Sequence, residues 1–196
     1  MKGQKTCPWA ESGSLMKQYH DQEWGIPSKD DTYLFEMLNL EGAQAGLSWS
    51  TILNKREGYR QAFHHFDINR CAAMSDDDLE KILSTGEVVR HRLKINAVRK
   101  NAMAAQRAAK EFGSFSAYVW QFSDQKQIVN HWDEAGQVPA QNDMSVVISK
   151  DMKKRGFTFV GPVIIYSFLQ AIGVYDDHLT TCPCHTDNRQ PVSGKE

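Results

Sequence analysis

The sequence contains no long uninterrupted apolar run, which argues against a membrane-spanning helix. Its first residues, Met1, Lys2, Gly3, Gln4 and Lys5, lack the apolar stretch of a secretory signal, so a cytoplasmic protein is the expectation. Neither charge sign is in excess: 23 Lys and Arg stand against 24 Asp and Glu, a formal net charge of −1. The global basic field that advertises nucleic-acid binding is therefore missing. A nucleic-acid partner would have to be met by a local basic patch and neutral backbone contacts. Cysteine is scarce, with 4 in the chain: Cys7, Cys71, Cys182 and Cys184. With no secretory signal, they point to metal binding or free thiols rather than disulfides. Long polar–apolar alternation is also lacking, so an extended sheet is not expected. There is no internal repeat.

What is present reads as helix. The 196 residues, 41% hydrophobic and 24% charged, suffice for one domain with a sizeable core or for two small lobes. Asp30 or Asp31 caps a helix carrying Leu34, Phe35, Met37 and Leu38. A second helix begins near Ser48 and runs through Ile52, Leu53 and Tyr59 to Phe63. Ser75 and Asp78 form a capping box ahead of Leu79, Ile82 and Leu83. Residues 92–111 are alanine-rich and stop at Gly113, after which Ser114 caps Phe115, Tyr118 and Val119. The β-branched cluster Val146, Val147 and Ile148 reads as helix because Asp143 precedes it as a cap and lysines close it before Gly156. Residues 123–142 read as an irregular connection and 186–196 as a loose tail.

One acid stands out. Glu41 is surrounded by Leu40, Gly42, Ala43, Ala45, Gly46, Leu47 and Ser48, with Trp49 just beyond. A carboxylate on a stripe that a helix should bury must be paired, hydrated or used. Small neighbours allow close approach and Trp49 offers a flat face, as in a pocket for a planar, electron-poor ligand. The segment reads equally as a helix-end acid in water beside a core tryptophan.

A second local feature is the turn at Gly156. Lys153, Lys154 and Arg155 close one helix, and Gly156 suits its left-handed cap. After Phe157, Thr158, Phe159 and Val160, Gly161 and Pro162 open another helix that carries Val163, Ile164, Ile165, Phe168 and Leu169 and ends at Gly173. Such a hairpin aims unpaired N–H groups from a helix N-terminus, a seat for a DNA phosphate. An ordinary helical hairpin with a solvated charge run has the same sequence appearance.

A third is a set of metal-ligating residues split between the two ends: Cys7 and His20, then His178 and Cys182. The latter two are four apart and would share a face if the backbone there were helical. Two imidazoles and two thiolates make a closed tetrahedral set that suits structural zinc and leaves no open position for water. Cys184 and His185 compete for the C-terminal ligand positions. Free cysteines with surface histidines, or a Cys7–Cys182 disulfide, are the alternatives.

Several words of sequence occur together: Cys7-x-Trp9, Tyr19-His20-Asp21-x-Glu23-Trp24-Gly25, Leu40-Glu41-Gly42 leading into Ala45-Gly46-Leu47-Ser48-Trp49, and Arg90-His91-Arg92. They continue with Lys153-Lys154-Arg155-Gly156-Phe157, Phe159-Val160-Gly161, Tyr166-Ser167-Phe168, and Asp177-His178 followed by Cys182. In this order the chain resembles the 3-methyladenine DNA glycosylase I family, the constitutive alkylation-repair enzymes of bacteria. The resemblance implies an all-α fold of the helix-hairpin-helix glycosylase superfamily and a structural Zn2+ held by Cys7, His20, His178 and Cys182. It implies a single domain over 1–196, with zinc-binding ends at 1–25 and 174–185 and the helix-hairpin-helix at 143–173.

The implied reaction is hydrolysis of the N-glycosidic bond of 3-methyladenine in double-stranded alkylated DNA, by a monomer with no nucleotide cofactor. The base would be flipped into a pocket. By resemblance Glu41 reads the adenine edge and is the catalytic-site acid, while Tyr19 and Trp49 sandwich the ring and Trp9 and Trp24 form the wall. Gly46 and Leu47 would fill the gap left in the duplex. Lys153, Lys154, Arg155, Phe159, Val160 and Gly161 would meet the backbone. Trp9, Trp24 and Leu47 read equally as core residues.

Many members have tyrosine where this chain has Met16, which alters the polarity of the pocket region. Asp176 and Asp177 follow the hairpin's second helix, where many glycosylases of the superfamily place a catalytic aspartate. The resemblance is to a family that does without it, which ranks Glu41 above Asp177. The alternative is a non-enzymatic, zinc-containing DNA-binding module that recognises damaged or bent duplex. It would bind DNA without producing abasic sites.

Overall fold

The computed structural model describes residues 5–189. Its helices are α1 (Ser14–Gln22), α2 (Asp31–Gln44), α3 (Trp49–Ala62), α4 (Ile68–Ala72), α5 (Asp76–Thr85), α6 (Arg92–Phe112), α7 (Phe115–Trp120), α8 (Asp143–Lys154) and α9 (Pro162–Ala171). The fold is mostly helical, as expected. No helix among the described residues is long and apolar enough to cross a membrane.

Helix α2 is the centre. Every residue from Leu34 to Ala43 is buried, the pattern of a helix surrounded on all sides, and it packs against α3, α6, α7 and α9. Asp30 caps it by accepting from the Tyr33 N–H at 2.7 Å. Asp31 acts between helices instead. Its oxygens accept from the Phe115 and Ser116 N–H groups at 3.1 and 2.7 Å, tying the start of α7 to α2. The caps read at Ser75 and Ser114 are present, and Ser48, near which the second helix is expected to begin, is the N-cap of α3. Helix α8 is capped by Asn142, which accepts from Ser145 N–H at 2.9 Å, and the expected cap Asp143 is instead its first residue.

The stretch read as an irregular connection contains β1 (Ile128–Val129), which pairs in parallel with β2 (Tyr175–Asp176). Trp132 extends this contact through a bridge to Leu179. So short a pairing has no local alternation to announce it; the partner strand supplies the reason for it. The supposed tail is also partly held. Asn188 Nδ2 donates to the Thr180 and Cys182 carbonyls and Arg189 to the Cys184 carbonyl, while residues 190–196 of that tail, like 1–4, lie outside the described residues.

The two ends of the chain meet beside α9. Gly25 and Ser28 donate to the Gln170 and Ile172 carbonyls, and Lys5 to that of Thr181. Gly173 makes this possible: at φ +75° it lies so close to the 26–27 backbone that a Cβ would fall 2.2 Å from the Ile26 carbonyl carbon.

Candidate functional site

Helix α2 delivers Glu41 to the wall of a cavity of about 230 Å³, which Trp9, Met16, Tyr19, Trp24, Gln44, Trp49, Ser167 and Gln170 also line. The pocket therefore draws on α1, α2, the start of α3, α9 and the N-terminal segment. Glu41 is only 5% exposed, and burial pushes its carboxyl up to about 8. Its side chain has no hydrogen-bond or ion-pair partner among the described residues. Two more polar groups are stranded in the same place: Tyr19 Oη and Trp49 Nε1 are buried with no partner. Unsatisfied buried groups are costly and scarce in folded proteins. Two on one cavity wall, beside a carboxyl without a partner, set this cavity apart.

The aromatic residues do meet, with a geometry that differs from the sequence expectation. Tyr19 and Trp49 have centroids 5.2 Å apart at 54°, in contact with each other. A ring sandwiched between them needs planes roughly 7 Å apart, two van der Waals separations. As they stand, the two rings leave no slot for a planar ring between them. Trp9 and Trp24 sit edge to face at 5.0 Å on the wall; both are pocket residues and core residues at once. Met16 is buried and also lines the cavity.

Beside the mouth a second concavity is lined by Glu41, Gln44, Gly46, Leu47, Val163 and Ser167, among others. Leu47 is 41% exposed, so the core alternative for it does not hold, and Gly46 has a left-handed φ of +79° in open space. Helix α9, which lends Val163, Ile164 and Ser167 to that concavity, follows the connection from α8. Gly156 has the left-handed φ expected of the cap, +92°. The N–H groups of Phe159, Val160 and Gly161 have no partner among the described residues, and no side chain caps α9. The Val160 side chain is core, so its peptide group alone is available there. Lys153 and Lys154 are exposed. Arg155 is committed elsewhere: it pairs with Glu111 and Asp151 at 2.7 Å each and lies over the Phe112 and Tyr118 rings. Its charge is neutralised within the fold.

Cys7, His20, His178 and Cys182 come together, all buried, with donor atoms within 4.8 Å of one another. The cluster could bind a metal. His178 Nδ1 lies 3.1 Å from His20 Nε2, 3.6 Å from Cys182 Sγ and 3.7 Å from Cys7 Sγ. Tetrahedral zinc, with bonds of about 2.0 Å to nitrogen and 2.3 Å to sulfur, needs edges of roughly 3.3 to 3.8 Å. The other ring nitrogens are already held, His20 Nδ1 by Asp21 at 2.7 Å and His178 Nε2 by the Trp24 carbonyl at 3.0 Å, the usual outer support of a metal-bound imidazole. The helical backbone supposed for His178 and Cys182 is absent: β2 and a turn in which Cys182 N–H donates to the Leu179 carbonyl converge them instead. All four cysteines are free thiols.

Asp176 and Asp177 stay out of the pocket. Asp176 accepts from the His178 N–H and from Thr186, and Asp177 takes four donors within the core. Sequence reasoning assigned no role to Gln44, Ser167 or Gln170. The available signal was spacing: Gln44 lies three residues after Glu41, and Ser167 and Gln170 are polar at i and i+3 in an otherwise apolar helix.

Fold and site together define a mostly helical protein with a buried, partnerless acid on an aromatic-lined cavity. The chain belongs to the methyladenine glycosylase family, whose sequence profile matches residues 9–185. It is 45% identical over 180 residues to the DNA-3-methyladenine glycosylase of Haemophilus influenzae, covering 92% of this chain and 97% of that one. A crystal structure of a 3-methyladenine DNA glycosylase I superposes with a TM-score of 0.89 at 45% identity, covering 92% of this chain and all of the other (100%). The Staphylococcus aureus 3-methyladenine DNA glycosylase I, solved to explain 3-methyladenine recognition, gives 0.89 at 36% identity over 91% of this chain and 95% of its own.

Proposed function

We propose that this chain is a monofunctional DNA repair glycosylase that hydrolyses the N-glycosidic bond of 3-methyladenine in alkylated duplex DNA. Family membership supports the reaction class; one observation supports the site, the partnerless Glu41 carboxyl on an aromatic cavity with two other stranded polar groups. The methylated base is cationic until its bond to the sugar breaks. As that bond cleaves, its electron pair passes to the base, which leaves neutral; water adds at the sugar carbon and a proton is released.

A cationic leaving group needs little help from an acid. What it needs is a pocket that prefers the cation. Glu41, pushed up to about 8 by burial, holds its proton in the empty pocket at neutral pH. A cationic ring alongside stabilises the carboxylate and releases that proton, whereas neutral adenine offers no such compensation. Glu41 thus accepts from the base edge and selects for charge. Trp49 and Tyr19 supply the apolar and cation–π contact, and Tyr19 Oη and Trp49 Nε1 find partners on the ligand.

The duplex lies across the mouth with the base flipped out. Leu47 enters the stack beside Gly46. The helix-hairpin-helix formed by α8 and α9 offers the free N–H groups of Phe159, Val160 and Gly161 to a phosphate, with Lys153 and Lys154 nearby; Arg155 braces the hairpin from within. Zinc, held by Cys7, His20, His178 and Cys182, supplies a closed structural tie between residues 1–25 and 174–185. The whole chain acts as one cytoplasmic, monomeric domain without a nucleotide cofactor.

The test is release of free 3-methyladenine from methylated DNA, measured with the wild type and with Glu41→Gln and Trp49→Ala. Release by the wild type and a sharp loss in both variants is expected. A folded, metal-loaded wild type that binds DNA yet yields no free base would refute the reading.

A further inference from the structure

We infer that Gln170 is a specificity-determining residue of the pocket, presenting its side-chain carbonyl oxygen to the base in an orientation imposed by Asp177. This rests on the base-binding reading of the cavity.

Asp177 is 1% exposed and its carboxylate is saturated. Oδ1 accepts from Asn130 Nδ2 at 2.7 Å and Trp132 Nε1 at 2.8 Å; Oδ2 accepts from Tyr166 Oη at 2.6 Å and Gln170 Nε2 at 2.7 Å. Four donors fill the acceptor directions of a carboxylate, which leaves Asp177 nothing to offer a substrate. Its effect is on Gln170. A carboxylate has no proton to donate, so a glutamine amide can face it only through the NH2 group. The opposite amide rotamer would set Oε1 against Oδ2, two acceptors with no proton between them.

Gln170 Oε1 is therefore the free end. It has no hydrogen-bond partner among the described residues, and Gln170 lines both the base pocket and a second cavity of about 220 Å³ behind Trp9 and Trp24. Its main chain is fixed as well: its carbonyl accepts from Gly25 and Gly173 N–H groups. The pocket thus holds two acceptors, Glu41 and Gln170 Oε1, on a frame that cannot reorient cheaply.

That frame sorts purines. Adenine carries an amino donor where guanine carries a carbonyl acceptor. A fixed acceptor pairs with the first and opposes the second, and a buried unmatched acceptor pair is far costlier than a missing contact. Gln170 would discriminate 3-methyladenine from 3-methylguanine, with Asp177 as a positioning residue that touches neither.

The experiment is single-turnover release of both bases from methylated duplex DNA by the wild type, Gln170→Met and Asp177→Asn. The wild type should favour 3-methyladenine. Gln170→Met, close in volume, should slow 3-methyladenine release about tenfold while sparing 3-methylguanine, so the ratio falls. Asp177→Asn places a donor where the Gln170 NH2 now bonds, turns that amide over and lowers the ratio through the same residue. A general weakening of the fold would slow both bases alike and leave the ratio intact. An unchanged ratio in Gln170→Met overturns the inference, and an unchanged ratio in folded, metal-loaded Asp177→Asn overturns the role of Asp177. If Asp177→Asn fails to fold, being next to His178, Gln170→Met decides alone. A wild type that releases neither base would refute the base-binding reading itself, a different result from an active wild type with an unaltered variant ratio.

Discussion

Gly42 and Phe159 meet so closely that a Cβ on Gly42 would stand 3.0 Å from the Phe159 Cβ and 3.3 Å from its carbonyl oxygen. Gly42 follows the pocket acid on α2, and Phe159 lies at the tip of the connection between α8 and α9. Phe159 holds a left-handed φ of +55°, and Asn101 grips the preceding residue, accepting from the Thr158 N–H at 2.8 Å and donating to its carbonyl at 3.2 Å. Asn101 also donates to Asn39 Oδ1 at 3.0 Å. The hairpin and the wall of the pocket are thus joined as one unit, and on the proposed function a phosphate held by the former would fix where the latter receives a base.

Gly42→Ala should therefore destabilise the protein, despite the helix propensity gained. Alanine in a helix interior is worth about 1 kcal/mol over glycine, whereas overpacking against a pinned backbone costs about 1–3 kcal/mol. The expected net loss of about 1 kcal/mol lowers Tm by roughly 2–4 °C in a chain of this size. Thermal unfolding of the two proteins decides it; a higher Tm in the variant would mean that the hairpin yields freely.

Glu41 should make the protein less stable as pH rises. Its folded value, about 8, lies above its ordinary value of 4.5, so between these the native state binds the extra proton and the unfolded chain does not. Stability conferred by protonated Glu41 is complete below about 4.5 and is lost progressively up to about 8. Glu41→Gln has no charge to bury. The variant should gain on the wild type steadily across that window, reaching a few kcal/mol at its alkaline end, on the order of 1.4 kcal/mol per pH unit. Urea denaturation at several pH values measures this. Parallel curves for the two proteins would place the Glu41 carboxylate in contact with water.

The local signals were legible because their physics is local. Ser75 and Ser114 cap helices as read, a helix starts near Ser48 as expected, and Glu41 announced itself by its apolar surroundings. What could not be read depends on partners distant in sequence. Nothing near Ile128 indicates that Tyr175 will pair with it, and nothing near Arg155 indicates that Glu111 will neutralise it. His178 and Cys182 do share a site, but through a turn and not a helix. The tilt of Tyr19 against Trp49 follows from packing among four aromatic residues on three segments. Gln170 was concealed by its helix, where a single amide among apolar neighbours carries no sign of Asp177 behind it.

The cysteine–histidine cluster predicts about one zinc per chain. Removal by a strong chelator should lower Tm by roughly 10 °C or more, because the metal would bind only the folded arrangement. Cys182→Ser should lose both the metal and that increment, while Cys71→Ser, buried 3.0 Å from the Phe63 carbonyl and away from the cluster, should keep the metal. Elemental analysis together with thermal unfolding tests this. Purified protein without metal, and with a Tm indifferent to chelator, would leave the four donors as plain hydrogen-bonding groups.

Lys94 should matter for DNA and not for the free base. From α6 its ammonium donates to the Ala43 carbonyl at 2.8 Å and the Ala45 carbonyl at 2.7 Å, the last turn of α2 before Gly46 and Leu47. A cation there complements the helix C-terminus and holds the loop that, on the proposed function, would carry Leu47 to the duplex. Lys94→Met keeps the apolar stem and removes both bonds, each to a charged donor and worth about 1.5–3 kcal/mol at most. Base release from duplex DNA should fall about tenfold, since a loosened Leu47 must be ordered at the moment of flipping. Affinity for free 3-methyladenine, measured by quenching of tryptophan fluorescence, should remain within about twofold, because the Lys94 side chain does not line the pocket. Leu47→Ala should show the same division, strong on the duplex and absent for the free base. Equal losses in both measurements for Lys94→Met would assign the lysine to the pocket wall, and no loss on duplex DNA would remove the loop from the mechanism.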